Sequence, residues 1–376
     1  MYPADVLLSG EALNNLGRIR KILVVRNDNI GDVVCTTPCF EALRESFPEA
    51  FIAVLVCRLT EEVVAGNPFL DKIYVYDKAK HGRYKSVFTA WWKQFKVLLD
   101  IRSQHFDLAI GIRSEFSPSL GWLVYASGAP HRLGLKPPKK DKKFSFFYNI
   151  YAEPLKQPSH EVERSLHALR KIGVDIEKKR LFLKLMAENR KQALDFFSKH
   201  HIQRNKPVVC VNFSRRLEEG RYWSYENYVA LIKRFLSEDI QTVASCAPDE
   251  ARIVEGLLKV SDHTIPLYWS RSLKNFAALI EECSLFVTID GGPMHIAAAV
   301  GTPVVALFGK IDPRVWAPWG EGHTVLRKGN DHNLISVDDV FGAAIKMLRD
   351  RAALKVLEHR SGRGLAGMTK NGPFTR

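Results

Sequence analysis

Short apolar, β-branched runs alternate with amphipathic stretches along most of the chain. In the first half the strand-like runs fall at 22–26, 51–57, 73–76, 107–112 and 131–135. Helical spacing fills the gaps at 33–46, 60–65, 88–104 and 117–126, and 161–172 closes the half. Apolar positions three and four apart mark one face of a helix, whereas compact apolar runs bounded by turn residues mark strands. Their strict alternation predicts parallel sheets with helices on both faces. Residues 174–187 read as an entry segment, and the same pattern then restarts. Strands are expected at 207–212, 241–246, 263–266, 285–289, 303–308 and 324–327, and helices at 187–199, 225–237, 249–260, 273–282, 293–300 and 337–349. The expected organisation is an N-terminal domain over 1–180, a C-terminal domain over 181–350, and a basic, glycine-rich tail over 351–376 with little regular structure.

Each half contains a strand, a tight glycine turn and a helix start. The first is Lys21-Ile22-Leu23-Val24-Val25-Arg26-Asn27-Asp28-Asn29-Ile30-Gly31-Asp32, and the second is Phe286-Val287-Thr288-Ile289-Asp290-Gly291-Gly292-Pro293-Met294-His295. Such a turn aims backbone N–H groups and the positive end of a helix at an anion. Two of them, one per half, suggest two α/β domains facing a shared cleft.

Composition narrows the choice of partner. The chain has 376 residues, which suits two domains of ordinary size. Its formal net charge is +14, favouring an anionic partner: nucleic acid, an acidic membrane surface or a phosphorylated substrate. The six cysteines are scattered without a CxxC, as in a reduced cytoplasmic protein. Cys35 and Cys39 stand four apart on an expected helix; buried thiols are the simpler reading and a metal site the other. No signal peptide is evident at the start, and no run of about 18 apolar residues is long enough to span a bilayer. Gly362-Arg363-Gly364-Leu365-Ala366-Gly367 spells GxGxxG, but it follows no strand and is read as a chance match.

Several side chains are placed for chemistry. Asp32 either complements a helix dipole or, at the carboxyl end of a strand where ligands of open α/β sheets gather, serves as a general base. In Asp290-Gly291-Gly292-Pro293-Met294-His295 the glycines allow close backbone approach, and Pro293 suits a first helical turn. A lone His295 would read as a core histidine; beside the glycine turn it reads as part of an anion site. Ser214, Arg215, Arg216 and Arg221 follow the first strand of the second half and offer a pyrophosphate grip or, equally, a solvated basic loop. Asp249 is a helix cap or a partner for a ribose diol. Five lysines between Lys136 and Lys143, followed by Phe144, Phe146, Phe147 and Tyr148, form a solvated loop or a lip that meets an anionic membrane or a phosphorylated acceptor. Trp91 and Trp92, near Lys78, Lys80, Arg83 and Lys85, are similar. With no helix-turn-helix, zinc-finger or RNA-binding pattern beside these patches, nucleic acid is not the expected partner.

Together these segments resemble the heptosyltransferases of glycosyltransferase family nine, from about Arg20 to Leu348. The motifs carrying the resemblance are Ile30-Gly31-Asp32-Val33-Val34 with Thr36-Thr37-Pro38, the stretch from Asp290 to Gly309 including Gly301-Thr302-Pro303-Val304-Val305-Ala306-Leu307-Phe308-Gly309, Ile311-Asp312-Pro313 with Pro318, and His160-Glu161-Val162-Glu163-Arg164. The resemblance implies a GT-B fold: two Rossmann-like domains with parallel sheets facing a central cleft, the first for the acceptor and the second for a nucleotide sugar. It places the base on Asp32 and the phosphate-binding hydroxyl on Ser214. It places the basic residue two before the tryptophan on Arg221, where the family has lysine, and the ribose-binding acid on Asp249, with Glu250 as the alternative. The sugar and phosphate site falls on Asp290, Gly291, Gly292 and His295. Gly291 stands where the family often has threonine or serine, and Asp28 and Asn29 replace smaller polar residues.

The activity implied is inverting, metal-independent transfer of a heptose or similar sugar from a nucleotide sugar, ADP-heptose favoured, to a lipopolysaccharide-core or related lipid-linked glycan. No cofactor is implied, and the expected location is the cytoplasm, with peripheral contact at the inner membrane surface. Two competing readings share parts of this evidence: a GT-B nucleotide-sugar epimerase, and a non-catalytic protein binding anionic lipid or nucleic acid.

Overall fold

The computed structural model describes residues 19–76, 87–216, 219–259 and 265–360. The chain divides into two compact units between Lys184 and Leu185, and Arg314–Trp319 belongs to the first. Lys78, Lys80, Arg83 and Lys85, residues 361–376 with their GxGxxG match, and the side chain of Trp91 lie outside the described residues.

The first unit runs β1 (Lys21–Arg26), α1 (Ile30–Ser46), β2 (Phe51–Cys57), α2 (Glu61–Val64), β3 (Lys72–Tyr76), α3 (Val87–Ser103), β4 (Leu108–Gly111), α4 (Pro118–Ala126), β5 (His131–Leu135), a 3-10 segment (Lys139–Phe147), β6 (Ile150–Ala152) and α5 (Glu161–Arg170). Its six strands are ordered β3-β2-β1-β4-β5-β6 and all pair in parallel. β1 and β2 are apolar at successive positions because both faces of the sheet are covered. Leu23, Val25, Ala53, Leu55 and Ala109 pack in one layer with Ile101 of α3 and Leu120, Leu123 and Val124 of α4. By strand alternation Ile22, Val24, Ile52 and Val54, all buried, point to the other layer, where α1 packs on α5. α4 starts where Ser117 accepts a bond from the Leu120 N–H and Pro118 takes the first helical position.

The second unit contains α6 (Ala187–Lys199), β7 (Val208–Phe213), a small hairpin of β8 (Arg215–Arg216) and β9 (Arg221–Tyr222), α7 (Tyr225–Ser237), β10 (Gln241–Cys246), α8 (Ala251–Leu258) and β11 (Leu267–Tyr268). It continues with α9 (Leu273–Glu281), β12 (Leu285–Ile289), α10 (Gly292–Ala299), β13 (Val304–Phe308), the short α11 (Pro313–Trp316, mostly in the first unit), β14 (Thr324–Arg327) and α12 (Val337–Arg360). The parallel sheet reads β11-β10-β7-β12-β13-β14. Relabelled from its first strand, this is the same 3-2-1-4-5-6 order as the first sheet, the order of dinucleotide-binding α/β folds. The α/β class with two Rossmann-like sheets is therefore the architecture present.

Of the strand expected at 263–266, residues 263 and 264 lie outside the described residues; the described strand is Leu267–Tyr268, and the Pro266 carbonyl before it accepts from Ala244 N–H at 2.9 Å. Three local expectations are corrected. The helix expected from 249 begins at Ala251; Glu250 takes the N-cap position with no side-chain cap bond, so Asp249 is not its cap. The helix expected over 337–349 continues to Arg360. β6 and the 3-10 segment were not anticipated; three residues are too few to show a period.

Candidate functional site

In open α/β sheets, side chains gather for ligands where the strand order reverses. In the first unit that point lies between β1 and β4. Arg26, the last residue of β1, is fully buried there. Its guanidinium donates to Glu161 Oε1 at 2.8 Å, to Asp32 Oδ1 at 2.9 Å and to the Ile112 carbonyl at 3.1 Å. Its Nε lies 3.3 Å from Asp28 Oδ2, and Arg113 approaches Asp28 Oδ1 from the other side at 3.1 Å. Burial opposes the charge on Arg26, but Glu161, Asp28 and Asp32 outweigh it and its pKa rises above the ordinary guanidinium range. Burial pushes the Glu161 carboxyl up against the pull of Arg26. Of the three carboxylates around Arg26, Glu161 is 0% exposed, Asp28 6% and Asp32 18%. Asp32 is thus the one the cluster presents outward, at the N-terminal turn of α1.

The rim of this unit is held by His160. Its Nδ1 accepts from Val162 N–H and caps α5, its Nε2–H donates to Ala317 O at 2.8 Å, and its ring lies 4.5 Å from the Trp319 ring at a tilt of 38°. Those partners require the neutral imidazole. Burial lowers its pKa, with the bond to Ala317 acting in the opposite direction.

In the second unit the reversal lies between β7 and β12. Asp290 follows β12, and its side chain is 1% exposed. His332 Nε2–H donates to Asp290 Oδ1 at 2.6 Å. Arg221 donates to Asp290 Oδ2 and, at 2.8 Å, to the Asp290 carbonyl. A second arm of Arg221 reaches Glu219 at 2.6 Å. The Asp290 carboxylate is therefore occupied on both oxygens, and it fixes the guanidinium beside the glycine turn. Gly309 makes room for this: a Cβ there would stand 2.7 Å from the His332 ring and 2.9 Å from the Asn330 carbonyl. Beneath, a buried ladder joins Ser245 to Asn212 and Asn212 to Thr288, each at 3.1 Å, and braces the ends of β7, β10 and β12.

The other expected site residues are placed as follows. Ser214 is half-buried immediately after β7. Gly291 is the N-cap of α10 with φ of 157°, a backbone that L side chains rarely adopt, and Gly292 begins the helix. Threonine at 291 would be strained even though its Cβ would have room. His295 sits at the fourth helical position and is 2% exposed, so it belongs to the buried wall of α10. Asp249 is exposed in the turn after β10. Cys35 and Cys39 are both buried in α1, and burial pushes both thiols well up, which suits the buried-thiol reading. Among the described residues no helix is long and apolar enough to cross a membrane.

With the geometry of both reversal points in place, comparison with known proteins adds kinship. The family model for glycosyltransferase family 9 (heptosyltransferase) matches residues 94–339, well over half of the chain. This chain belongs to glycosyltransferase family 9. It is 24% identical over 348 residues to lipopolysaccharide heptosyltransferase 3 of Escherichia coli K12, covering 86% of this chain and 96% of that one. A family 9 glycosyltransferase from Veillonella parvula superposes with a TM-score of 0.77 at 22% identity, over 88% of this chain and 97% of that chain. The E. coli ADP-heptose LPS heptosyltransferase II superposes with a TM-score of 0.71 at 18% identity, over 88% and 99%. The fold is GT-B.

Within this family 9 chain, sequence reasoning passed over the roles of Arg26, Glu161 and His332. Glu161 looks like any acid in a first helical turn, and 135 residues separate it from Arg26. His332 lies 42 residues beyond Asp290 in a short 3-10 turn. The available signal was indirect: Gly309 ends an apolar strand where no turn type demands glycine, which marks a close approach by something else.

Proposed function

We propose that this chain is an inverting glycosyltransferase that moves a heptose, or a closely similar sugar, from a nucleotide sugar to a lipopolysaccharide-core or related glycan. Family membership supports the reaction class, and the name of the second solved relative, which specifies ADP-heptose, favours that donor. The observation that carries the mechanism is the Arg26 cluster, which buries two carboxylates and leaves Asp32 outward.

Asp32 takes the proton of the acceptor hydroxyl as its oxygen attacks the anomeric carbon. The bond to the diphosphate breaks as the new glycosidic bond forms, so a single displacement inverts configuration, through a transition state of oxocarbenium character. The electron pair leaves with the diphosphate. Arg221, fixed by Asp290, and the N–H groups at the start of α10 offset the growing charge, with the Ser214 hydroxyl as a further donor. Asp290 acts by positioning Arg221, Gly291 and Gly292 let the phosphates approach the backbone, and His295 backs the turn from within. Asp249 binds the ribose. No residue in this scheme calls for a metal.

A donor screen with ADP-heptose and UDP-, GDP- and CMP-sugars, with and without lipopolysaccharide-core acceptor, tests the reading. Acceptor-dependent transfer with inverted anomeric configuration by NMR is expected. Altered sugar without acceptor would identify an epimerase instead. Asp32→Asn should lower turnover by roughly 10²-fold or more and leave nucleotide affinity close to normal; undiminished turnover removes Asp32 as the base.

A further inference from the structure

Large apolar side chains stand outward on two neighbouring helices of the first unit. On α3 they are Trp92, Phe95 and Leu99, 49–52% exposed, at the spacing of a single helix face. On α4 they are Trp122 and Tyr125, each 46% exposed and three residues apart. Phe146 of the 3-10 segment, 53% exposed, meets the Tyr125 ring edge-on at 5.2 Å. α3 and α4 pack on the same layer of the sheet, and a Cβ at Gly128, just past α4, would stand 3.4 Å from Arg102 in the last turn of α3. The six side chains therefore share one outer layer.

Cations are threaded through this layer. Lys96 lies over the Trp92 ring at 5.7 Å and Arg132 over Tyr125 at 5.5 Å. Lys139, Lys140, Lys142 and Lys143 are all exposed on the 3-10 segment. The nearby acids are fewer: Asp100 is ion-paired with Lys72, and Asp141 is the single acid among the four lysines. A second copy of the chain would bring like charges together here. Aromatic rings beside lysine and arginine suit a different occupant, a bilayer, whose interface accepts the rings and whose anionic headgroups accept the charges.

We propose that the layer formed by α3, α4 and Lys139–Phe147 docks on an anionic lipid surface. The inference rests on these exposed side chains and not on the transfer reading, so each can fail alone. The full chain is tested by flotation with phosphatidylcholine vesicles, with and without phosphatidylglycerol, in the absence of donor and acceptor. At least tenfold stronger binding to the anionic vesicles is expected, weakening with salt. Replacing Lys139, Lys140, Lys142 and Lys143 by Gln should lower it at least tenfold, since one basic residue near such a surface counts for roughly fivefold. The pair Trp92→Ser and Trp122→Ser, both at exposed positions, should also lower it several-fold, with an unchanged circular dichroism spectrum. Equal binding to both vesicle types overturns the proposal. So does undiminished binding in both variants, or concentration-dependent dimerisation that the serine pair abolishes.

Discussion

The two units solve the same geometric problem with opposite charges. Each places an ionic hub where its 3-2-1-4-5-6 sheet reverses. In the first the hub is a buried arginine, Arg26, and the group it presents is a carboxylate, Asp32. In the second the hub is a buried aspartate, Asp290, and the group it presents is a guanidinium, Arg221. The sign of the hub decides the sign of the exposed partner, and with it the chemistry each scaffold can serve: proton acceptance in one, an anion clasp in the other. Both hubs are buried, but they differ in what surrounds them: Arg26 is enclosed with three carboxylates, whereas Asp290 is held by His332 and by Arg221, which is half-buried with another arm on the exposed Glu219.

That difference predicts different mutational responses. Removing the hub of the first unit should have the largest effect. Arg26→Leu leaves the fully buried Glu161 without the cation it bonds and leaves Asp28 only Arg113, and stability should fall by about 3–5 kcal/mol. Urea denaturation measures it, and a variant as stable as the parent would show that the cluster does not hold the unit together.

Arg221→Ala removes the cation that the second hub holds. Its cost should appear in binding: about 1.5–3 kcal/mol, or roughly one to two decades in affinity for ADP by calorimetry. Stability should fall by about 1–3 kcal/mol, less than for Arg26→Leu, because Asp290 keeps its bond from His332. Unchanged ADP affinity would place the diphosphate elsewhere and dissolve the contrast between the hubs.

Gly309→Ala sharpens the comparison, because it touches neither Asp290 nor Arg221. The new methyl would meet the His332 ring and the Asn330 carbonyl, so the His332–Asp290 bond must shift. ADP affinity should fall by about 1 kcal/mol, near fivefold. Affinity equal to the parent's would mean that His332 does not position the clasp.

The smallest effect is a pH dependence confined to the first unit. The folded-state pKa of His160 is depressed below its unfolded value by burial. The neutral ring therefore contributes stability that is complete above the ordinary imidazole value of about 6.5 and is lost as pH falls through that range. Protonation puts a proton on Nδ1, which must then stop capping Val162 N–H. The parent should lose more stability than His160→Gln between about pH 7 and about pH 5. Parallel losses in the two proteins would remove His160 as the cause.

Part of this contrast is legible in the amino-acid sequence. Asp32, Ser214, Gly291 and Gly292 can be placed just after strands, and all but Ser214 at helix starts, because a strand-to-helix boundary is written in adjacent residues. The α/β class follows from period alone. The 3-10 segment reads as a loop because its lysines mask the buried Phe147 and Tyr148 that anchor it.

The sequence by itself determined the elements and their alternation, since these depend on neighbours within a helical turn or a strand pair. Only the tertiary structure decided which charges meet. Arg26 and Glu161 are 135 residues apart, Arg221 and Asp290 are 69 apart, and Asp290 and His332 are 42 apart. A charge along a chain has no partner until packing excludes water and leaves it one. For that reason the Asp290 carboxylate, which sequence reasoning turned toward the sugar, is occupied in the fold by Arg221 and His332.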